Sequence, residues 1–174
     1  MSRVLITGAG GYIGGLLGER LSVGHSVLGL DVRVPPELPF ECLQGDIRDP
    51  ALADVLRERR IDTVVHLAAV LEDSGDRARD YDIDVTGTRT VLDACLSAGV
   101  EQLIVTSSGA AYGYHPDNPA WLDEQDPLRG NTEFAYSDHK RLVEEMLADY
   151  RRRFPALRQL ILRPGTVLGD GTRN

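Results

Sequence analysis

The sequence predicts a doubly wound α/β fold, a parallel sheet held between two layers of helices. Three observations lead there. Short β-rich runs alternate with helical patterns along the chain, and that order calls for parallel strands joined by right-handed helical crossovers. Runs such as Thr63-Val64-Val65 and Leu103-Ile104-Val105 show no polar alternation, as expected of strands covered on both faces. A glycine-rich turn follows the first strand and opens an amphipathic stretch, the usual junction of a strand with its crossover helix.

Strands are predicted at 3–7, 26–31, 40–44, 62–66, 102–106 and 158–163, and helices at 12–23, 50–59, 85–98 and 134–153. The third helix carries Val85, Thr88, Val91, Leu92 and Cys95 on one stripe and stops at Gly99, a residue suited to the left-handed C′ position. The fourth carries Tyr136, Lys140, Val143, Leu147, Tyr150 and Phe154, with Pro155 ending it. Residues 113–133 hold Pro116, Pro119, Pro127 and Gly130. A connection of that length is expected to be a lid or mobile segment, with a plain surface excursion as the alternative.

The 174 residues are 42% hydrophobic and 26% charged, which excludes a disordered chain and suggests one domain over residues 1–174. A net charge of −8 disfavours general binding of nucleic acid, because approach to a phosphate backbone is repelled. No apolar run approaches the roughly 20 residues that span a bilayer, and the N-terminus reads as a strand rather than a signal peptide. Cys42 and Cys95 form no CxxC pair and read as buried free thiols, consistent with a cytoplasmic protein. His25, His66, His115 and His139 lack ligand spacing, so no metal site is expected.

In Thr7-Gly8-Ala9-Gly10-Gly11-Tyr12-Ile13-Gly14 three glycines recur at intervals of three. Gly8 permits the tight turn, Gly11 the approach of a pyrophosphate, and Gly14 the packing of helix on strand, while main-chain N–H groups face the phosphates. Asp31, ending the second strand, can accept from both adenosine ribose hydroxyls. Its charge repels a 2′-phosphate, favouring NAD over NADP, with Arg33 partly offsetting that repulsion. Asp46, in Gly45-Asp46-Ile47-Arg48-Asp49, either accepts from the adenine amino group or, like Asp49, caps the following helix. Ala68 and Ala69, after the fourth strand, leave room for the dinucleotide.

Tyr136 and Lys140 are four residues apart and share a helical face. A phenol ordinarily ionises near pH 10. The neighbouring ammonium and a positive nicotinamide ring stabilise the phenolate and would bring it toward neutrality, where proton exchange is efficient. Lys140 can also hold the nicotinamide ribose. Ser108, at the end of the fifth strand, can bind a substrate oxygen and steady the charge developing on it.

Together these residues resemble the extended short-chain dehydrogenase/reductase family, in particular its NAD-dependent epimerase/dehydratase branch. The likeness runs through Thr7–Gly14, Asp31, Gly45–Asp49, His66–Ala69, Ser107-Ser108 with Tyr112-Gly113, Tyr136 with Lys140, and Leu162-Arg163-Pro164. It implies a Rossmann fold, catalytic Ser108, Tyr136 and Lys140, and an NAD site lined by Gly8, Gly11, Tyr12, Ile13, Asp31, Asp46, Ile47, Leu67, Ala68 and Ala69, with Tyr136 and Lys140 at its reactive end. It implies a nucleotide-sugar or other sugar hydroxyl as substrate, epimerised or oxidised. A non-catalytic NAD sensor or scaffold, and a dehydrogenase of another small alcohol, stand as alternatives.

The resemblance also implies a homodimer paired through helices 85–98 and 134–153, with Leu142, Met146 and Tyr150 serving either that contact or the core. Asp84 stands where the family usually has Asn, which is expected to weaken cofactor positioning or re-route a water. Gly109 and Ala110 stand where dehydratases carry an acidic pair. Family members are about twice as long, so the substrate domain is expected to be largely absent from this chain.

Overall fold

In the computed structural model, which describes residues 1–72 and 74–172, six parallel strands form one sheet. They are β1 (Arg3–Thr7), β2 (Ser26–Asp31), β3 (Glu41–Gln44), β4 (Thr63–His66), β5 (Gln102–Thr106) and β6 (Arg158–Leu162). Their order is β3-β2-β1-β4-β5-β6, the doubly wound arrangement in which the strand order reverses beside β1 and a crevice opens over the carboxyl ends. Register is continuous across the centre: Thr7 lies beside Leu30 of β2 and His66 of β4, and His66 beside Val105 of β5.

The long helices are α1 (Tyr12–Leu21), α2 (Leu52–Glu58), α4 (Gly87–Ala98) and α5 (Ala135–Arg153), with a short α3 (Arg77–Tyr81) before α4. Leu5, Val64 and Leu103 face one side and pack with Leu56, Leu92, Val143 and Leu147 from α2, α4 and α5. Val4, Ile6 and Val65 face the other side, against Leu17 and Leu21 of α1. That second layer is narrow. Leu160 and Leu162 of β6 remain 46% exposed, so cover on both faces holds for the central strands and not for this edge.

Three expectations change. The rod containing α4 begins ten residues earlier than Gly87, at Arg77, and passes through a π-helical turn at Asp82–Thr86. No apolar period announces that start, because Arg77-Ala78-Arg79-Asp80 is nearly all polar. Met146 and Tyr150 are buried in the main core and Leu142 packs against it, and the Tyr150 hydroxyl donates to Asp93 on α4 at 2.6 Å. These side chains therefore serve the core. Finally, the 113–133 excursion is cross-braced: Tyr114 N–H donates to Asn131, Asn118 to the Gly113 carbonyl, and Gly130 N–H to the Ala111 carbonyl. Its own hydrogen bonds hold it as a surface excursion. Cys95 is buried and its thiol is pushed up to about 12 by that burial, whereas Cys42 is only half-buried.

Candidate active site

Because all six strands run the same way, their carboxyl ends lie along one edge, and every candidate residue read from the sequence lies along or next to it. Two adjoining clefts of about 220 Å³ and 330 Å³ share Gly8, Gly11, Leu67, Ala69 and Leu71, making one trough. The larger is lined by Asp31, Asp46, Ile47 and Ala68, the smaller by Tyr12, Ile13, Ser108, Tyr136 and Lys140. No residue of 113–133 lines either cleft, though Tyr114 packs on Phe134, which packs on Tyr136.

At the turn, Gly8 has φ +71°, a conformation costly for any residue with a Cβ, and Gly11 precedes the first turn of α1. A Cβ on Gly14 would collide with the Gly8 carbonyl oxygen and come within 2.8 Å of Ala9 Cα, so helix and turn approach as closely as they do only with glycine there. A Cβ on Gly11 would meet only the Gly8 carbonyl oxygen, at 3.3 Å, leaving this position open to the trough. Gly10 has a role the glycine spacing does not announce. Its N–H donates to Asp31 Oδ2 at 2.9 Å, and a Cβ there would come within 2.9 Å of Pro35.

Asp31 is thus part of the turn's architecture. Its Oδ1 accepts from Arg33 N–H at 3.0 Å. Each carboxylate oxygen has a second lone pair, so capacity for ribose hydroxyls remains. At the adenine end, Asp49 accepts from Ala51 N–H just before α2, taking the capping role. Asp46 holds Arg48 through both oxygens, and Arg48 reaches on to Asp82 at 2.8 Å. The Arg48 guanidinium holds the Asp46 carboxyl below its ordinary range.

At the other end, Ser108 accepts from Ala110 N–H at 3.1 Å, capping a 3-10 turn over Gly109–Tyr112. Lys140 Nζ donates to the Thr106 carbonyl at 3.1 Å and sits 5.5 Å from the centre of the Tyr136 ring. Burial pushes the Lys140 ammonium down, while the Asp84 and Glu144 carboxylates pull it back up. Burial pushes the Tyr136 phenol up, the Ser108 hydroxyl pulls it down, and the charge of Asp84 pushes it up again. The chain alone therefore raises Tyr136, contrary to the expectation from Lys140: desolvation of the half-buried ring outweighs the hydrogen bond from Ser108.

Behind the trough lies a chain of hydrogen bonds that sequence reading missed. Thr7 Oγ1 accepts from the N–H groups of Leu67 and Ala68 and meets His66 Nδ1 at 2.7 Å. His66 Nε2 meets Thr88 Oγ1 at 3.0 Å, and Thr88 donates to the Asp84 carbonyl at 2.5 Å. Thr88 spends its one proton on that carbonyl, so His66 carries its own on Nε2, and Thr7 donates to Nδ1. Burial and the nearby Lys140 charge hold this imidazole down to about 3. These partners are separated by up to 61 residues, which hides them from any local pattern. Thr106, Pro164 and Gly165 also line the trough, at or just after the ends of β5 and β6, where a doubly wound sheet places ligand contacts.

The trough fits a dinucleotide: acceptors at one end, an open glycine turn and helix start in the middle, and a hydroxyl, phenol and ammonium at the other. A profile of the NAD dependent epimerase/dehydratase family matches residues 4–174. The chain belongs to this family. Among its members, UDP-glucose 4-epimerase of Neisseria meningitidis serogroup C is 32% identical over 188 residues, covering 97% of this chain and 54% of that protein. The Escherichia coli O157:H7 N-acetyl-alpha-D-glucosaminyl-diphospho-ditrans,octacis-undecaprenol 4-epimerase is 34% identical, covering 98% and 50%. The structure of Thermus thermophilus UDP-glucose 4-epimerase in complex with NAD superposes with a TM-score of 0.80 at 30% identity, covering 92% of this chain and 54% of that one. The chain spans about half the length of the curated relatives it matches. In this epimerase/dehydratase member no helix among the described residues is long and apolar enough to cross a membrane.

Proposed function

We propose that residues 1–174 are the NAD-binding part of a nucleotide-sugar epimerase, and that Tyr136 transfers the proton in its reaction. The observation carrying this reading is that Ser108, Tyr136 and Lys140 line the same cleft as Gly8 and Gly11, so one ligand can meet both the phosphate turn and the proton-transferring group. Asp31 and Asp46 hold the adenosine end, and the N–H groups opening α1 face the pyrophosphate. Lys140, fixed by the Thr106 carbonyl, holds the nicotinamide ribose.

Bound NAD supplies the hydride acceptor and a positive ring that favours the phenolate. Tyr136 as phenolate takes the proton of a sugar hydroxyl and later returns it. Ser108 donates to the sugar oxygen and steadies its charge through the change. With Gly109 and Ala110 after Ser108, the chain lacks acidic side chains there for elimination of water, which favours epimerisation over dehydration. The relatives named for UDP-glucose 4-epimerisation point to a uridine diphosphate sugar. Of the two features that favour a non-catalytic NAD-binding reading, Asp84 and the half-length chain, Asp84 is accounted for by its pairing with His139, and Ser108, Tyr136 and Lys140 together in one cleft argue for catalysis.

In the full-length enzyme that contains this part, Tyr136→Phe is expected to lower turnover of UDP-glucose by at least ~100-fold, within the usual worth of a positioned acid–base group, while calorimetry finds NAD binding nearly intact. Unchanged turnover would overturn the assignment of Tyr136.

A further inference from the structure

Asp84 and His139 meet at 2.9 Å, with side-chain exposures of only 5% and 2%. Asp84 sits in the π-helical turn Asp82–Thr86, an irregularity often found at functional sites, and His139 sits on α5 between Tyr136 and Lys140. One Asp84 oxygen accepts from Val70 N–H at 2.8 Å, in the segment after β4 that lines the dinucleotide trough. The other accepts from His139 Nδ1, because an ionised carboxylate has nothing to donate. One carboxylate thus ties the dinucleotide segment to the helix bearing the phenol and the ammonium. An amide at 84 would offer only one acceptor oxygen; two N–H donors converging on this side chain suit Asp.

His139 Nε2 is buried and has no hydrogen-bond partner among the described residues. His139 and Tyr136 both line a cavity of about 30 Å³, room for one water. The ionisable groups around the imidazole are Asp84 on the π-helical turn, Asp80 and Tyr81 on α3, Glu72 after β4, and Tyr136 and Lys140 on α5 itself. Asp80 is occupied by Ser74, whose N–H and hydroxyl both donate to it. Tyr81 meets the imidazole ring edge-on at 5.6 Å.

We propose that Asp84 and His139 form a buried carboxylate–imidazole couple that positions Tyr136 and Lys140 against the dinucleotide segment and sets the charge those two groups face. The Asp84 carboxylate places a negative charge beside Tyr136 and Lys140. That charge disfavours the phenolate and favours the ammonium, the directions in which Asp84 pushes each group. Both are positioning residues; neither lies among the residues lining the two clefts of the trough.

The couple rests on the reading of Tyr136 as the proton-transferring group, and its test is independent of turnover. The chain is labelled with ¹³Cζ-tyrosine, the Tyr136 signal is assigned with Tyr136→Phe, and the signal is followed against pH. Asp84→Asn keeps the geometry: its Oδ1 accepts from Val70, and its amide donates to Nδ1 of the other imidazole tautomer. The expected result is a fall in the Tyr136 ionisation midpoint by about half a unit or more, from loss of the like charge. A midpoint unmoved in a folded Asp84→Asn overturns the proposal.

His139 provides the second measurement. His139→Ala breaks the tie between Asp84 and α5, and the Tyr136 midpoint is expected to move by about half a unit or more, whereas His139→Gln, which keeps a donor toward Asp84, restores it. A midpoint unmoved in a folded His139→Ala overturns the proposal even if Asp84→Asn fails to fold. Full turnover in Tyr136→Phe would instead sink the functional reading and leave the couple's effect on Tyr136 measurable.

Discussion

Buried at the end of β4, His66 accepts the hydrogen bond from Thr7 only while neutral, since a second proton on Nδ1 would confront the Thr7 hydroxyl with a donor. Folding holds this imidazole at about 3, below the unfolded value of roughly 6.5. Between those values the unfolded chain binds the extra proton and the folded chain does not. His66 therefore contributes its full stability above pH 6.5, and that stability is lost as pH falls toward 3, at up to ~1.4 kcal/mol per pH unit. Urea midpoints measured from pH 7 to 4 are expected to fall less steeply in His66→Gln than in the unaltered chain. Asp31 acts at the same scale. Replacing it with Ser removes the repulsion of a 2′-phosphate and an acceptor for Gly10 N–H. NAD affinity is expected to drop while NADP affinity drops less, as calorimetry with both cofactors would record.

Among the elements, α1 is held to the sheet by what its glycines lack. In Gly14→Ala the new methyl would run into the Gly8 carbonyl, a main-chain atom with no rotamer to turn. The helix would have to back away from the turn, at a cost of about 1–3 kcal/mol. Reduced thermal stability together with weakened NAD binding is the expected outcome, since α1 and the turn share the phosphate site. The rod from Arg77 to Ala98 shows the limit of periodicity. Val91, Leu92 and Cys95 are buried along one stripe and made α4 readable. Its first eight residues, 77–84, hide in polar sequence because they are organised by Asp84 and Asp80, whose partners Val70 and Ser74 lie in the preceding segment.

Across the whole molecule, Glu144 joins what the chain keeps apart. Buried on α5, it accepts from Ser107 at the end of β5 and pairs through both oxygens with Arg163 just after β6. Arg163 also donates to the Tyr112 hydroxyl, which donates to the Asp123 carbonyl in the long excursion. Removing the cation with Arg163→Met would leave a carboxylate buried with no cationic partner there, a loss of about 3–5 kcal/mol. A lower urea midpoint, with proteolysis beginning within residues 113–133, is the expected consequence.

The alternation of strands with helices, the doubly wound class and the glycine turn, acid and Tyr–Lys spacing that mark Gly8, Asp31, Ser108, Tyr136 and Lys140 were legible in the residues, because each depends on local periodicity or on a short spacing within one strand–turn–helix unit. What only the tertiary structure decided are the partnerships between elements: His66 with Thr7 and Thr88, Asp84 with His139, Glu144 with Arg163. Their members are 19 to 59 positions apart. It also showed burial raising the Tyr136 phenol in the chain by itself, since how much water a ring loses is set by everything packed around it, and no spacing between two residues records that.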